Sequence, residues 1–281
     1  MKITKSPLIS LSLFLTAFTL HQTPYGISQT TGAGLSPANQ ESFQAGEELT
    51  YKIYYNWNFV WLSAGEVTFK VMDEGEKYHF QAKGKTYDSY EWFFEARDAY
   101  DSWVDKKTLL PLYSERDIKE GDYSIFEKVK FNQTGKLTTV WRADHRGADE
   151  TQTEHTLKGQ VHDILSSLYF LRTLDLASKG PGATQPFTIF MDKEEFPLKM
   201  RFMGKEGRKK VHGMGHYRTQ KFQPDVIAGN VFSEDAKMTV WVSDDQNRIP
   251  VMIESPVSVG SVKVVLKNFK GLKYDFTARV D

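Results

Sequence analysis

The sequence predicts a mainly β domain: a large antiparallel sheet, curved or incompletely closed like a barrel, with one principal helix. Three observations predict it. Period-two alternation of apolar and polar residues recurs in stretch after stretch. Aromatic residues, which suit a pleated surface, make up 14% of the 281-residue chain. A single long segment of the mature chain, residues 159–180, carries helical spacing instead.

The alternation starts after Gly46. ELTYKIYYNW puts Leu49, Tyr51, Ile53, Tyr55 and Trp57 on one face. EVTFKVMD does the same with Val67, Phe69 and Val71, and KYHFQAKG with Tyr78, Phe80 and Ala82. In WFFEARDAYDSWVD the expected inner set is Phe93 or Phe94, then Ala99, then Trp103. The VWLSAG link at 60–65 reads either as the continuation of a strand or as an apolar rim. DEGE, KGD and NQTG are turn signals between these pieces. WRADHRGADETQTEH, with His145 and His155, reads as a polar loop. Strands return after residue 185 and run to GSVKVVLKNFKG, with the basic GKEGRKK (204–210) expected at a solvated hairpin end.

Between the two sets of strands, Asp163 is placed to cap a helix. Ile164, Leu165, Leu168 and Leu171 form its apolar stripe, Tyr169 or Phe170 can reach a rim, and Gly180-Pro181 stops it. A lone helix beside a large sheet is expected to cover or plug it.

Two stretches echo each other. WVDKKTLLPLYSERDIKEG (103–121) and WVSDDQNRIPVMIESPVSVG (241–260) both run from Trp-Val through a polar turn to a proline, with a glycine ten residues later. Pro111 and Pro250 should each lead a return strand, where a missing N–H costs least. A duplicated unit and two ordinary hairpins alike through shared turn chemistry both account for the echo.

Residues 1–20 have a basic n-region with Lys2 and Lys5 and an apolar run from Leu8 to Leu20, too short to span a bilayer comfortably. They read as a signal peptide cleaved somewhere within 19–29. Residues 21–45 read as a flexible arm rich in Gly, Ser, Thr, Gln and Pro, and 46–281 as one β-rich domain, two similar halves joined through the 159–180 helix being one option. Zero cysteines exclude disulfides, thiol nucleophiles, thiolate metal sites and a cysteine-linked lipid. Basic and acidic residues balance at 36 each, so no global field draws nucleic acid. The mature chain is expected to be exported, periplasmic and soluble, without an integral membrane span.

The combination of GEELTYKIYYNWNFVWLSAGEVTFKV (46–71), ARDAYDSWVDKKTLLP (96–111), DILSSLYFLRTLDL (163–176) and VWVSDDQNRIPVMIESPVSVGSVKVVL (240–266) resembles the bacterial envelope family catalogued as domain of unknown function 3108. The resemblance implies export and a shared architecture, and no activity. The strand–turn–Pro–strand unit is also remotely similar to hairpins in the open barrels of bacterial lipoprotein carriers, which hold acyl chains under a helical lid.

No reaction is legible. H-E-x-x-H, G-x-S-x-G and phosphate-binding glycine patterns are absent from the sequence. Asp244 and Asp245 in SDDQNR would face opposite ways on a strand and suit a turn better; Asp101 and Asp105, flanking Trp103, are as ambiguous. His212 and His216 would lie about 13 Å apart on a strand, too far for one metal ion. No catalytic residue, metal or cofactor is assigned. The candidate ligand-binding residues are Trp57, Trp61, Trp103, Tyr169, Phe170, Trp241 and Arg248. They fit a non-enzymatic binding or carrier protein for an amphiphilic or glycan-bearing envelope molecule, with a lipid, glycolipid or envelope protein as partner. A structural or assembly protein of the envelope is the alternative, and a glycan hydrolase the weaker one.

Overall fold

The structure, a computed structural model, describes residues 42–57, 60–225, 237–257 and 260–281. The expected signal peptide and the arm up to residue 41 lie outside the described residues. The last residues assigned to the arm do not behave as one. Ser42 and Phe43 are buried, and the Phe43 ring packs edge-on against Tyr78, Phe80 and Tyr169. The arm assignment therefore overruns: one aromatic residue buries enough apolar area to order this end of it.

Among the described residues fourteen strands form one antiparallel sheet. In chain order they are β1 (Glu48–Trp57), β2 (Val60–Glu74), β3 (Lys77–Thr86), β4 (Ala96–Asp105), β5 (Pro111–Glu120), β6 (Tyr123–Asn132), β7 (Leu137–Ala143) and β8 (Thr151–Thr156), then β9 (Thr184–Met191), β10 (Glu194–Val211), β11 (Gly215–Pro224), β12 (Thr239–Ser243), β13 (Pro250–Pro256) and β14 (Ser261–Lys270). A four-residue helix α1 (Asp88–Glu91) follows β3, and α2 (Ile164–Thr173) joins β8 to β9. The spatial order runs β8 to β1, then β14 to β9. The chain starts in the middle of the sheet, meanders to one edge, crosses to the other edge through α2 and meanders back to pair with its own first strand. Edges β8 and β9 do not pair, so the barrel is incompletely closed, as predicted.

Alternation places the core where the sequence puts it in β1 to β3. Leu49, Tyr51, Ile53, Tyr55, Val67, Phe69, Val71, Tyr78, Phe80 and Ala82 are all buried. VWLSAG enters β2 and continues the strand, with Val60 and Trp61 exposed at its start. In β4 the parity is reversed. Ala96, Asp98, Tyr100, Ser102 and Val104 face inward, while Ala99 and Trp103 face outward. The inward serine is needed there, since Ser102 Oγ donates to the Asp163 carboxylate at the start of α2. The expected loop at 141–155 contains the end of β7 and most of β8, and the basic run 204–210 is solvated strand within β10, not a hairpin end. The predicted long helix is shorter: α2 ends at Thr173, and a separate 3₁₀ turn at Ala177–Lys179 precedes Gly180.

The echoing segments form matching hairpins. Trp103 opposes Tyr113 and Val104 opposes Pro111, so Leu112 bulges; Trp241 opposes Met252 and Val242 opposes Pro250, so Val251 bulges. Each proline opens its strand. The residue two before it has positive φ, 55° at Leu109 and 46° at Arg248. Asp105 Oδ1 accepts from the backbone N–H of Lys107 and Thr108, and Asp245 Oδ1 from those of Asn247 and Arg248. Each tryptophan also donates its indole N–H to a glutamate two strands away: Trp103 to Glu74 (3.0 Å) and Trp241 to Glu206 (3.1 Å). Shared turn chemistry does not account for that last bond, which lies outside the hairpin and extends the correspondence to β2–β6 and β10–β14.

The gap between β8 and β9 is bridged by several devices. The residue before α2's cap, His162, makes a short parallel bridge to β9, with N–H to Thr188 O and Phe190 N–H to its own carbonyl, both 2.8 Å. The Gln133 side-chain amide bonds both backbone groups of Val161, standing in for a strand. Val129, Phe131, Val140, Leu157, Val161 and Phe190 form an apolar cluster across the gap. Beside it lies a buried ion cluster. Glu127 accepts from Arg116 Nε (2.9 Å) and Arg142 Nε (2.6 Å), and Asp192 accepts from both guanidiniums. Burial pushes the Asp192 carboxyl up, but Arg116 and Arg142 overcome it and hold the group below the usual range. Asp192 and Lys193 form the two-residue β9–β10 turn with φ of 49° and 69°, so the backbone bears a left-handed strain that points this carboxylate across the gap.

At its N-terminus α2 is held by a capping box. Asp163 Oδ1 accepts from Ser166 N–H (2.8 Å), and Ser166 Oγ accepts from Asp163 N–H (3.0 Å). Burial pushes the Asp163 carboxyl up to about 6 against the pull of hydrogen bonds from Ser102 and Ser166. Burial pushes the adjacent His162 imidazole down to about 4.

Two measurements check this closure. Replacing Glu127 with Gln leaves Arg116 buried with one anionic partner, so urea unfolding should show a loss of about 3–5 kcal/mol. The second is pH dependence. The raised Asp163 carboxyl adds a folding penalty that is absent below its ordinary value of 3.8 and complete above about 6. The lowered His162 adds one that is complete below about 4 and absent above 6.5, so the two slopes oppose each other. Asp163→Asn keeps a good cap and removes the first slope. Stability of this variant should therefore rise between pH 4 and 6.5 by about 3 kcal/mol more than that of the parent.

Candidate functional site

Alternation leaves an interior that the described side chains do not fill. Between α2 and the concave face of β1, β2 and β9–β13 lies a cavity of about 150 Å³. At about 30 Å³ per water in bulk this is room for about five waters. Its walls follow from strand parity. Leu49 and Tyr51 come from β1, Phe69 from β2, Phe187 and Ile189 from β9, Met200 from β10, Phe222 from β11, Val240 and Val242 from β12, and Ile253 from β13. From the helix side Ile164, Leu168, Leu171, Leu174 and Leu176 complete it.

The polar groups in this wall are mostly engaged by the protein. Ser167 Oγ donates to Ile164 O (2.7 Å), and Gln220 Nε2 donates to Asp244 (2.8 Å). Burial pushes the Tyr51 and Tyr169 phenols up, so both stay neutral. Arg172 and Glu47, both buried, form a bidentate pair at 2.6 and 2.9 Å. Arg172 also donates to Ser42 O and Asn247 O, both 3.0 Å, and its guanidinium lies over the Phe43 and Tyr169 rings. Arg248 donates from Nη1 to Thr173 O (3.0 Å), which caps the C-terminal end of α2.

The structure brings two of the seven sequence candidates to the cavity, Tyr169 and Arg248. Tyr169 is no rim residue: it is buried and stacks on Phe80 with ring centroids 3.9 Å apart. Phe170 turns away and stacks on His162 (4.6 Å). Trp103 lies on the outer face against His79 (4.2 Å). Trp241 lies between cavity-lining Val240 and Val242 and so points to the opposite face, where Lys209 covers it at 3.7 Å. Trp61 is exposed beside Lys263 (4.4 Å). Trp57 ends β1, and its side chain lies outside the described residues. Absent from the seven candidates are the aliphatic wall residues and the aromatic Tyr51, Phe69, Phe187 and Phe222; their signal was the same alternation that marks any inward strand face.

The polar candidates for chemistry are dispersed. Asp105 and Asp245 serve their own turns, Asp101 accepts from His79 and Gln81, and Asp244 holds Gln220 and Lys205. His212 and His216 flank the β10–β11 turn, where His216 pairs with Asp281 and His212 packs edge-on to Tyr54 (5.7 Å). Among the described residues no group of three or more His, Cys, Asp or Glu could hold a metal ion, and no helix is long and apolar enough to cross a membrane.

Comparisons with known proteins agree with this architecture. A solved structure titled as a beta-barrel-like protein of domain of unknown function DUF1849 from Brucella abortus matches with a TM-score of 0.56 at 11% identity, covering 82% of this chain and 98% of that one. At that identity the likeness concerns the fold alone. No curated protein matches. The profile described as "Protein of unknown function (DUF3108)" matches residues 50–267, in line with the resemblance read from the sequence. The chain belongs to the DUF3108 family.

Proposed function

We propose that this chain is a non-enzymatic, exported binding or carrier protein that takes the apolar part of an envelope amphiphile into the cavity beneath α2. The observation that carries the reading is the cavity itself: about 150 Å³, walled by aliphatic and aromatic side chains, with most of its polar wall groups already paired. Such a space favours an apolar guest, because water placed there would find few free partners. Periplasmic location rests on the N-terminal signal pattern and the absence of cysteine.

A second reading has its own observation. Val60, Trp61, Trp92 and Phe93 are exposed at the β1–β2 hairpin and just after α1, with Trp92 79% accessible. Exposed aromatic residues suit the alternative role, an assembly protein whose partner is another envelope protein.

The cavity reading is tested by filling the space. Leu168 is half-buried on the cavity wall, so Leu168→Trp can occupy the void without displacing the core. Fluorescence titration with N-phenyl-1-naphthylamine should show binding to the parent and at least about tenfold weaker binding to the variant, with stability changed by less than about 1.5 kcal/mol. Equal dye binding by both proteins would contradict the reading. Capture of one envelope protein through Trp92 by crosslinking, with an unresponsive cavity, would favour assembly instead.

A further inference from the structure

Among the described residues the charged side chains of the cavity wall are Arg172, Arg248 and Asp225, and they are not equivalent. Asp225 stands at the end of β11, where its carboxylate accepts from Lys199 N–H (3.0 Å). Arg172 is neutralised by Glu47. Its Nε is nevertheless buried without a hydrogen-bond partner, an uncompensated donor in the wall. Arg248 sits beside it through reciprocal bonds: Arg172 donates to the carbonyl of Asn247, and Arg248 donates to the carbonyl of Thr173. Two guanidiniums therefore share one end of the cavity.

Among the described residues Arg248 has spare capacity. Of its five N–H donors, Nη1 holds the Thr173 carbonyl, and the other approach is to Asp175, 3.9 Å away and 41% exposed. That distance is too long for a hydrogen bond, and the contact is screened by solvent. Asp245, the nearest acid in the same turn, is occupied with its own backbone and with Ser243. A half-buried planar fork with free donors, at the polar end of an apolar space, is matched to an oxyanion. Asp225 disfavours an anion on its part of the wall, which fixes the orientation.

We propose that the cavity takes a single-chain amphiphile with an anionic head, a carboxylate or a phosphate, seated on Arg248 with its chain beneath α2. The inference rests on the apolar-cavity reading and adds head-group selection to it. At about 30 Å³ for a water in bulk, and nearly the same for a methylene group, the cavity takes about five methylene groups of the chain.

The test uses three probes that share one chain: decanoate, decyl phosphate and 1-decanol, titrated calorimetrically into the purified protein and into Arg248→Asn. Asparagine tolerates the positive φ at this position and removes the cation. At least one of the two anions should bind about 10–100-fold more tightly than 1-decanol, and the stronger one identifies the head. In the variant that ratio should fall to about twofold or less if Arg248 is the main contact. The ratio is read within each protein, so a general weakening of the fold does not imitate the effect. Equal binding of all three probes by the parent overturns head-group selection and leaves the apolar cavity standing. Retention of the preference by Arg248→Asn overturns the assignment to Arg248. Binding of none of the probes defeats the underlying reading.

Discussion

Everything at the centre of this molecule depends on the buried bond between Arg172 and Glu47. These residues lie at the last turn of α2 and just before the first strand, 125 positions apart in the chain. The pair fixes where the helix ends over the sheet, and through Asn247 it also fixes the β12–β13 turn. At the other end of α2, Asp163 is tied to β4 through Ser102. A ten-residue helix of about 15 Å is thus fastened at both ends to different parts of one sheet. Without those fastenings its amphipathic stripe could slide to fill the space beneath it. A buried ion pair is a poor source of net stability, but losing one partner is costly, so it selects one arrangement over its neighbours.

The cavity follows from this geometry. Fourteen strands curl around an interior that one short helix does not fill. A closed barrel of fewer strands would pack its own side chains to the axis. Here the open seam between β8 and β9 makes the helix crossing possible, and the apolar and ionic clusters beside that seam keep it from widening. The ion cluster sits on a strained turn, so the sequence accepts a local backbone cost at Asp192 and Lys193 to place one carboxylate.

Much of the sheet was legible in the sequence because its inner residues obey period two. Tyr51, Phe69 and Phe80 announce their own face. The parity of β4 was not legible, because its inward positions include Asp98 and Ser102, whose partners lie far away in the chain. Tryptophans misled for a related reason. Trp103 looks like a core residue, yet its indole N–H finds Glu74 on the outer face, whereas Trp241 is buried but points away from the cavity, with its indole N–H on Glu206. The cavity wall was hard to see because leucine, valine and isoleucine carry no sign of whether they fill a space or border one. Arg248 stood out through its polar turn, and its role emerged only with the neighbouring Arg172.

The proposed function requires an alkyl chain to lie between α2 and the concave face of the sheet. Intermolecular nuclear Overhauser effects between decanoate methylenes and labelled protein methyls test it directly. Contacts are expected to Leu168 on the helix, to Ile253 and Val240 on the strands across the cavity, and to Met238 beside them. Contacts confined to residues around exposed Trp61, Trp92 and Phe93, with none to those four methyl-bearing side chains, would contradict it.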